Sequence, residues 1–194
     1  QDKDSVEEVI VTGSYLKGSA VDGASPVEVI SRDTIENLGA TTIADIIRNM
    51  AIDSGSENNA DSFTSGSTQG SSSVNLRGLG LSSTLVLFDG KRNTIAAQTA
   101  NDGSVFVDTN SLPVNIIERV EVLKEGAASV YGSDAVAGVV NYIFRRDFTG
   151  FEVNASKQQT DVGSQTDDRL SFLMGTEINN ANIVVSLSSL NRSP

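Results

Sequence analysis

Apolar residues fall into short periodic runs set between long polar stretches, and turn to strict alternation only near the end of the chain. The first 23 residues hold one apolar run, Val9-Ile10-Val11, among Gly13, Gly18 and Gly23, and read as extended and loosely packed. Val27 and Val29 alternate with Glu28 just after Pro26, which predicts a strand with proline at its first residue. Ser31 is placed to cap a short helix with Ile35 and Leu38 on one face and Gly39 at its end. Thr42 and Asp45 have the spacing of a capping box. Ile43, Ile46, Ile47 and Met50 then form one helical stripe.

From Ile52 to Ser73 the residues are polar apart from Phe63, which predicts a long surface loop, either functional or disordered. Val74–Arg77 and Thr84–Phe88 read as strands, the second apolar enough to be central and covered on both faces. Asp89-Gly90 predicts a turn, and residues 91–104 a second polar loop. Pro113 can open a short helix running to Ile117. Arg119–Lys124 alternates as a strand, Ala127–Tyr131 makes a small helix, and Val139–Arg146 is a further strand. The sum is an α+β unit: a small mixed sheet with short helices and long polar loops.

After Asp147 the period becomes two. Phe151, Val153 and Ala155 alternate with polar neighbours, as do Leu170, Phe172 and Met174, and Ile183, Val185 and Leu187. The first connection, about Gln159 to Asp168, is long and polar, and the second is a short turn at Asn179-Asn180. Strands of this kind joined by alternating long and short connections match the outer-membrane β-barrel pattern. A three-stranded meander with one wet face fits the same passage. Three strands cannot close a barrel, so the pattern reads as the N-terminal portion of something longer, and Gln1 is compatible with a processed, exported start.

Composition narrows the chemistry. The 25 acidic residues outnumber the 14 basic ones, and a net charge of −11 argues against nucleic acid as a partner. The absence of cysteine and histidine removes disulfides, thiolate nucleophiles, Cys/His zinc sites and serine–histidine catalysis. No apolar run reaches the roughly 18 residues of a membrane helix. Gly78-x-Gly80 lacks a following helix and reads as a turn rather than a phosphate loop. The pairs Glu7/Glu8 and Asp167/Asp168 read as solvated surface carboxylates. No enzyme site, metal site or cofactor follows.

The order of several strings does carry a resemblance. Glu7-Glu8-Val9-Ile10-Val11-Thr12-Gly13 resembles the TonB box of TonB-dependent outer-membrane receptors. Ser25–Ile30, Asn75-Leu76-Arg77-Gly78, Val86–Gly90, Ile117–Gly126 and Val130–Asn141 follow in the order of that family's plug domain. Lys124-Glu125-Gly126 stands where the family often has Arg-Gly-Pro, a departure that removes a bidentate arginine there. The resemblance implies a flexible segment over 1–23 with the box at about 6–13, a plug over 24–148, and the first three barrel strands over 149–194.

It further implies energised uptake of a scarce nutrient across the bacterial outer membrane. The plug fills a barrel of about 22 strands, and the N-terminus faces the periplasm and pairs with TonB, which acts with ExbB and ExbD. Glu7, Glu8, Val9, Ile10, Val11 and Thr12 are the expected TonB contacts, binding by strand addition. Asn58, Asn59, Asp61, Phe63, Gln69, Arg92, Asn93, Gln98, Asn101 and Asp102 are expected to face the ligand. Their scarcity of positive charge points to a neutral polar molecule such as an oligosaccharide or peptide. A ferric siderophore or cobalamin is the alternative within the family, and a soluble periplasmic binding module the alternative outside it. Arg77, Arg119, Lys124, Arg145 and Arg146 are the candidates to pair with barrel carboxylates.

Overall fold

A computed structural model describes residues 27–54, 70–100, 102–159, 166–179 and 181–193. The first strand, β1 (Val27–Ser31), runs directly into α1 (Arg32–Asn37), because the Ser31 hydroxyl accepts from the Thr34 amide at 3.3 Å and caps the first turn. Gly39, at φ 62°, closes the segment. Ile35 is buried as predicted, but Leu38 is 43% exposed: the helix stops at Asn37, so Leu38 never joins its buried face. The second helix, α2 (Ile43–Arg48), has the predicted capping box, with Thr42 Oγ1 accepting from the Asp45 amide at 3.0 Å and Asp45 Oδ2 from the Thr42 amide at 2.8 Å. Ile43, Ile46, Ile47 and Met50 are all buried.

Four further strands complete a mixed sheet: β2 (Thr84–Phe88), β3 (Lys91–Arg92), β4 (Ile117–Leu123) and, after α3 (Ala128–Tyr131), β5 (Gly138–Phe144). The spatial order is β1-β4-β5-β2-β3, parallel between β5 and β2 and antiparallel elsewhere. Alternation gives the sheet two apolar faces. Val86, Val120, Val122, Val140 and Tyr142 pack on the side of α1 and α2, and Leu85, Leu87, Leu123 and Val139 pack with Ala127 and Ala135 on the other. The β2–β3 turn places Asp89 and Gly90 at φ 54° and 76°, the left-handed pair that a two-residue hairpin turn needs.

Three predicted features differ. Val74–Arg77 is not a strand; Leu76 makes one isolated bridge with Asp53, and Arg77 turns left-handed at φ 59°. Ser71, Ser72 and Ser73 are buried instead of lying on the surface. Their polarity is tolerated because the backbone is bonded: the Ser72 amide donates to Asp108 Oδ1, and its carbonyl accepts from the Thr109 amide and hydroxyl. Pro113 caps a single 3-10 turn, Val114–Ile116, and β4 begins at once at Ile117, leaving no room for a longer helix.

Beyond residue 149 the chain forms a separate antiparallel sheet of β6 (Gly150–Gln159), β7 (Thr166–Ile178) and β8 (Ala181–Ser193). Cross-strand rows set its two faces. Val153, Phe172 and Leu187 lie opposite one another on one face; Glu152, Leu173 and Ser186 do so on the other. Leu173 is fully buried, whereas Phe151 is 76% and Leu187 64% exposed. One face is therefore spent against the preceding domain while an apolar one stays open. No helix among the described residues is long and apolar enough to cross a membrane, which says nothing of strands.

Candidate functional site

The two sheets meet where the chain crosses between them, at residues 145–149. Arg145 leaves β5 with its amide bonded to the Ile116 carbonyl at 2.8 Å. Its guanidinium lies 4.4 Å from the Phe148 ring centroid, and Nη1 donates to Glu152 Oε2 at 2.8 Å and to the Asn115 carbonyl at 3.3 Å. Arg32, at the first position of α1, reaches the other oxygen of the same carboxylate, with Nη2 3.7 Å from Glu152 Oε1. Arg32 also donates to Glu36 and to the carbonyls of Val114 and Ile117. One carboxylate of the three-stranded sheet thus sits between two guanidinium groups of the five-stranded domain.

The neighbouring contacts are close. Ser186 Oγ and Asn115 Oδ1 are 2.7 Å apart, and Asn182 Nδ2 donates to Asp147 Oδ1 at 2.6 Å. A Cβ on Gly175 would lie 1.9 Å from the Phe148 carbonyl oxygen, so β7 can approach the crossing only with glycine there.

The opposite end of the five-stranded sheet carries the loops. The Ala96 amide donates to Phe106 and the Ala100 amide to Ser104, closing a hairpin whose buried Ala100 and Phe106 pack on Leu81, just before β2. β2 runs parallel to β5, so this hairpin lies at the end away from the crossing. At its base Arg92 is held by both Asp134 oxygens and by the Tyr131 carbonyl. The hydrogen bond from Arg92 keeps the Asp134 carboxyl below its ordinary value.

Residues 19–139 match the family model described as the TonB-dependent receptor plug domain. The chain belongs to that family. Solved structures agree on the fold. The ferric enterobactin receptor PfeA of Pseudomonas aeruginosa, determined with enterobactin, is 24% identical with a TM-score of 0.64 over 87% of this chain and 25% of its own. The siderophore receptor PirA of Acinetobacter baumannii is 25% identical, TM-score 0.60, over 86% and 24%. The ferric citrate transporter FecA is 24% identical, TM-score 0.66, over 88% and 26%. The chain spans about a quarter of the length of these receptors.

Within this plug, the five predicted cations differ in their reach. Arg145 meets Glu152 of β6, as described. Arg77 donates to the Ala137 carbonyl at 2.8 Å, Arg119 to the buried Glu121 at 2.9 Å, Lys124 pairs with Glu28 at 2.6 Å, and Arg146 with Asp89. Those four contacts lie inside the plug.

Of the expected ligand residues, Arg92 is tied down by Asp134, and the Asp102 carboxylate is taken by the Ser104 amide and hydroxyl at 2.8 Å each. Asn93 is exposed and accepts from the Thr94 amide; Gln98 is half-buried on the hairpin. The structure thus brings Gln98 and Asp102 onto one hairpin. Asn58, Asn59, Asp61, Phe63, Gln69 and Asn101 lie outside the described residues, as do Glu7, Glu8, Val9, Ile10, Val11 and Thr12. Among the described residues no group of three His, Cys, Asp or Glu side chains is placed to hold a metal.

Sequence reasoning missed Arg32, Asn115, Glu152 and Ser186. Arg32 did carry a signal: a cation in the first turn opposes the helix dipole, and Glu36 one turn on answers only one side of its guanidinium. Asn115, between Val114 and Ile116-Ile117, is a polar interruption of an apolar run.

Proposed function

We propose that residues 24–148 are the plug of an outer-membrane transporter and that β6–β8 are the first strands of the barrel around it. The two-sidedness of β6–β8 carries this reading: Glu152, Leu173 and Ser186 face the plug, and Phe151, Val153, Leu170, Met174, Val185 and Leu187 face away and stay exposed. Such a sheet suits a wall with lipid outside and a polar filling inside. The ordinary soluble meander would leave the larger apolar face in water.

The short turn at Asn179 lies at the same end as the crossing, since Gly150 pairs with Gly175 near it. Short turns of outer-membrane barrels are periplasmic. The 96–106 hairpin, at the far end of the plug sheet, is then on the extracellular side, where Asn93 and Gln98 are available to a ligand. The N-terminal segment, with Glu7–Thr12, is assigned to TonB by strand addition, TonB being driven with ExbB and ExbD.

For the ligand, a neutral polar molecule such as an oligosaccharide or peptide is favoured, because Arg92 is neutralised by Asp134 and adds no free cation to the hairpin. An iron chelate is the second reading, favoured by the fold shared with PfeA, PirA and FecA. The test uses the full-length protein in a strain lacking its own copy, grown on limiting oligosaccharide or limiting iron. Ile10→Pro is expected to abolish TonB-dependent growth on one of these while surface binding of that nutrient persists. Undiminished uptake with Ile10→Pro removes the TonB-box assignment.

A further inference from the structure

The two arms of the 96–106 hairpin are fastened unequally. The returning arm is well held: Ser82 Oγ accepts from the Val105 amide at 3.1 Å and donates to the Val105 carbonyl at 3.3 Å, and Phe106 is buried on Leu81. The leading arm leaves β3, an edge strand that pairs only with Leu87 and Phe88, and no residue from Lys91 to Ile95 is buried. Arg92 anchors this stretch. Its guanidinium donates to both carboxylate oxygens of Asp134, with Nη2 3.0 Å from Oδ1, and to the Tyr131 carbonyl.

The acceptors stand on a firm base. Gly132, at φ 101°, turns the chain so that the Tyr131 carbonyl and the Asp134 side chain meet the same guanidinium. Just beyond, Ala135 and Ala137 are fully buried, and the Ala135 carbonyl accepts from the Ala127 amide at 2.9 Å. The Ala137 amide donates to the Ser83 carbonyl, and its carbonyl accepts from Arg77 Nη2, each at 2.8 Å. One segment, 131–137, thus holds both the turn that carries Ser82 and, through Arg92, the arm that feeds the hairpin. The ring closes at the guanidinium.

We propose that Arg92 is a positioning residue: clasped by Asp134 and Tyr131, it fixes the angle at which the hairpin presents Gln98, and it does not itself touch the ligand. The inference rests on the hairpin being the ligand-facing loop. Three fixed acceptors suit a planar fork of donors, which a lysine ammonium on its flexible stem does not replace. A hairpin ordered in advance spares the ligand the cost of ordering it, so the clasp raises affinity without a contact of its own.

The test is electron paramagnetic resonance of the full-length protein in lipid vesicles, with a nitroxide on Ala97→Cys or, as a control on α1, on Asp33→Cys. Both positions are exposed, and no cysteine in these 194 residues competes for the label. Arg92→Lys and Asp134→Asn are each expected to raise the mobile fraction at Ala97→Cys about fivefold and to leave the Asp33→Cys label unchanged. An unmoved Ala97→Cys label in both variants overturns the clasp. Mobility gained with Asp134→Asn but not with Arg92→Lys overturns the fork geometry, since charge alone would then suffice. Loosening at both labels overturns a local role. The ligand-facing reading fails separately: an Ala97→Cys thiol that a membrane-impermeant reagent reaches only after cells are permeabilised overturns that reading and leaves the clasp standing.

Discussion

Arg145 and Glu152 are seven residues apart, and their 2.8 Å hydrogen bond fastens the last strand of the plug sheet to the first strand of the sheet that follows. Arg32, at the start of α1 after the edge strand β1, approaches the second oxygen of the same carboxylate at 3.7 Å. All three side chains are more than two-thirds buried, so the pairing is weakly screened by solvent. Glu152→Ala leaves two largely buried guanidinium groups without their shared anion. It is expected to lower stability by about 2 kcal/mol. Chemical denaturation of the full-length protein in detergent measures this. A double-mutant cycle with Arg145→Ala should give a coupling of at least about 1 kcal/mol; a value near zero makes the contact incidental.

Gly175 is predicted to be intolerant of any side chain. The Phe148 carbonyl occupies the place of its Cβ at 1.9 Å, and both partners are backbone, so relief requires moving the crossing or the strand. Gly175→Ala should cost about 1–3 kcal/mol. The outward-facing neighbour Thr176→Ala should stay within about 0.5 kcal/mol. Thermal unfolding of the two variants side by side decides the matter, and equal effects would contradict the close approach.

Tyr142 packs edge-on against Phe88 with its hydroxyl buried and, among the described residues, without a hydrogen-bond partner. Burial, and secondarily the charge of Asp53, push the phenol well above its ordinary value of 10.0, so it is neutral throughout the physiological range. A hydroxyl that makes no bond only costs desolvation. Tyr142→Phe is therefore expected to leave stability unchanged or raise it by up to about 1 kcal/mol. A loss larger than that in denaturant titration would mean that the hydroxyl is satisfied in solution.

The α2 cap is predicted to be acid-sensitive. Partial burial raises the Asp45 carboxyl, but hydrogen bonds from Thr42 and Thr41 outweigh this and hold it below its ordinary value of 3.8. A group depressed in the folded state stabilises above its unfolded value, and loses that contribution as pH falls through the folded one. The contribution of the cap should thus be complete at neutral pH and fade below about pH 4. Thr42→Ala should cost about 1 kcal/mol at pH 7. Asp45→Asn should flatten the acid limb of the stability–pH curve, and an unchanged limb would exclude Asp45 as its source.

Much of this was legible in the residues because it is local. Ser31, Thr42 and Asp45 declared two helix starts through side chains that bond the next turn, and Ile43, Ile46, Ile47 and Met50 declared a buried face by spacing alone. The Asp89-Gly90 turn followed from two residues that tolerate positive φ. Val74–Arg77 misled because its apolar alternation is real, yet Leu76 is spent on Asp53 and on the Thr84 hydroxyl, contacts that no period reveals. Among the cations, sequence could name Arg145 but not tell it from Arg77, Arg119, Lys124 and Arg146, since each has carboxylates or carbonyls within reach.

By itself, then, the amino-acid sequence determined the family and the change from a helix-and-strand domain to alternating strands, because hydrophobic period and capping chemistry act over a few residues. Only tertiary structure decided that β2 lies parallel to β5, that Glu152 stands between Arg32 and Arg145, and that Gly175 yields its side-chain space to Phe148. Those relations join residues far apart in the chain. They depend on which surfaces come to face each other once burial has been satisfied, and no local pattern encodes that.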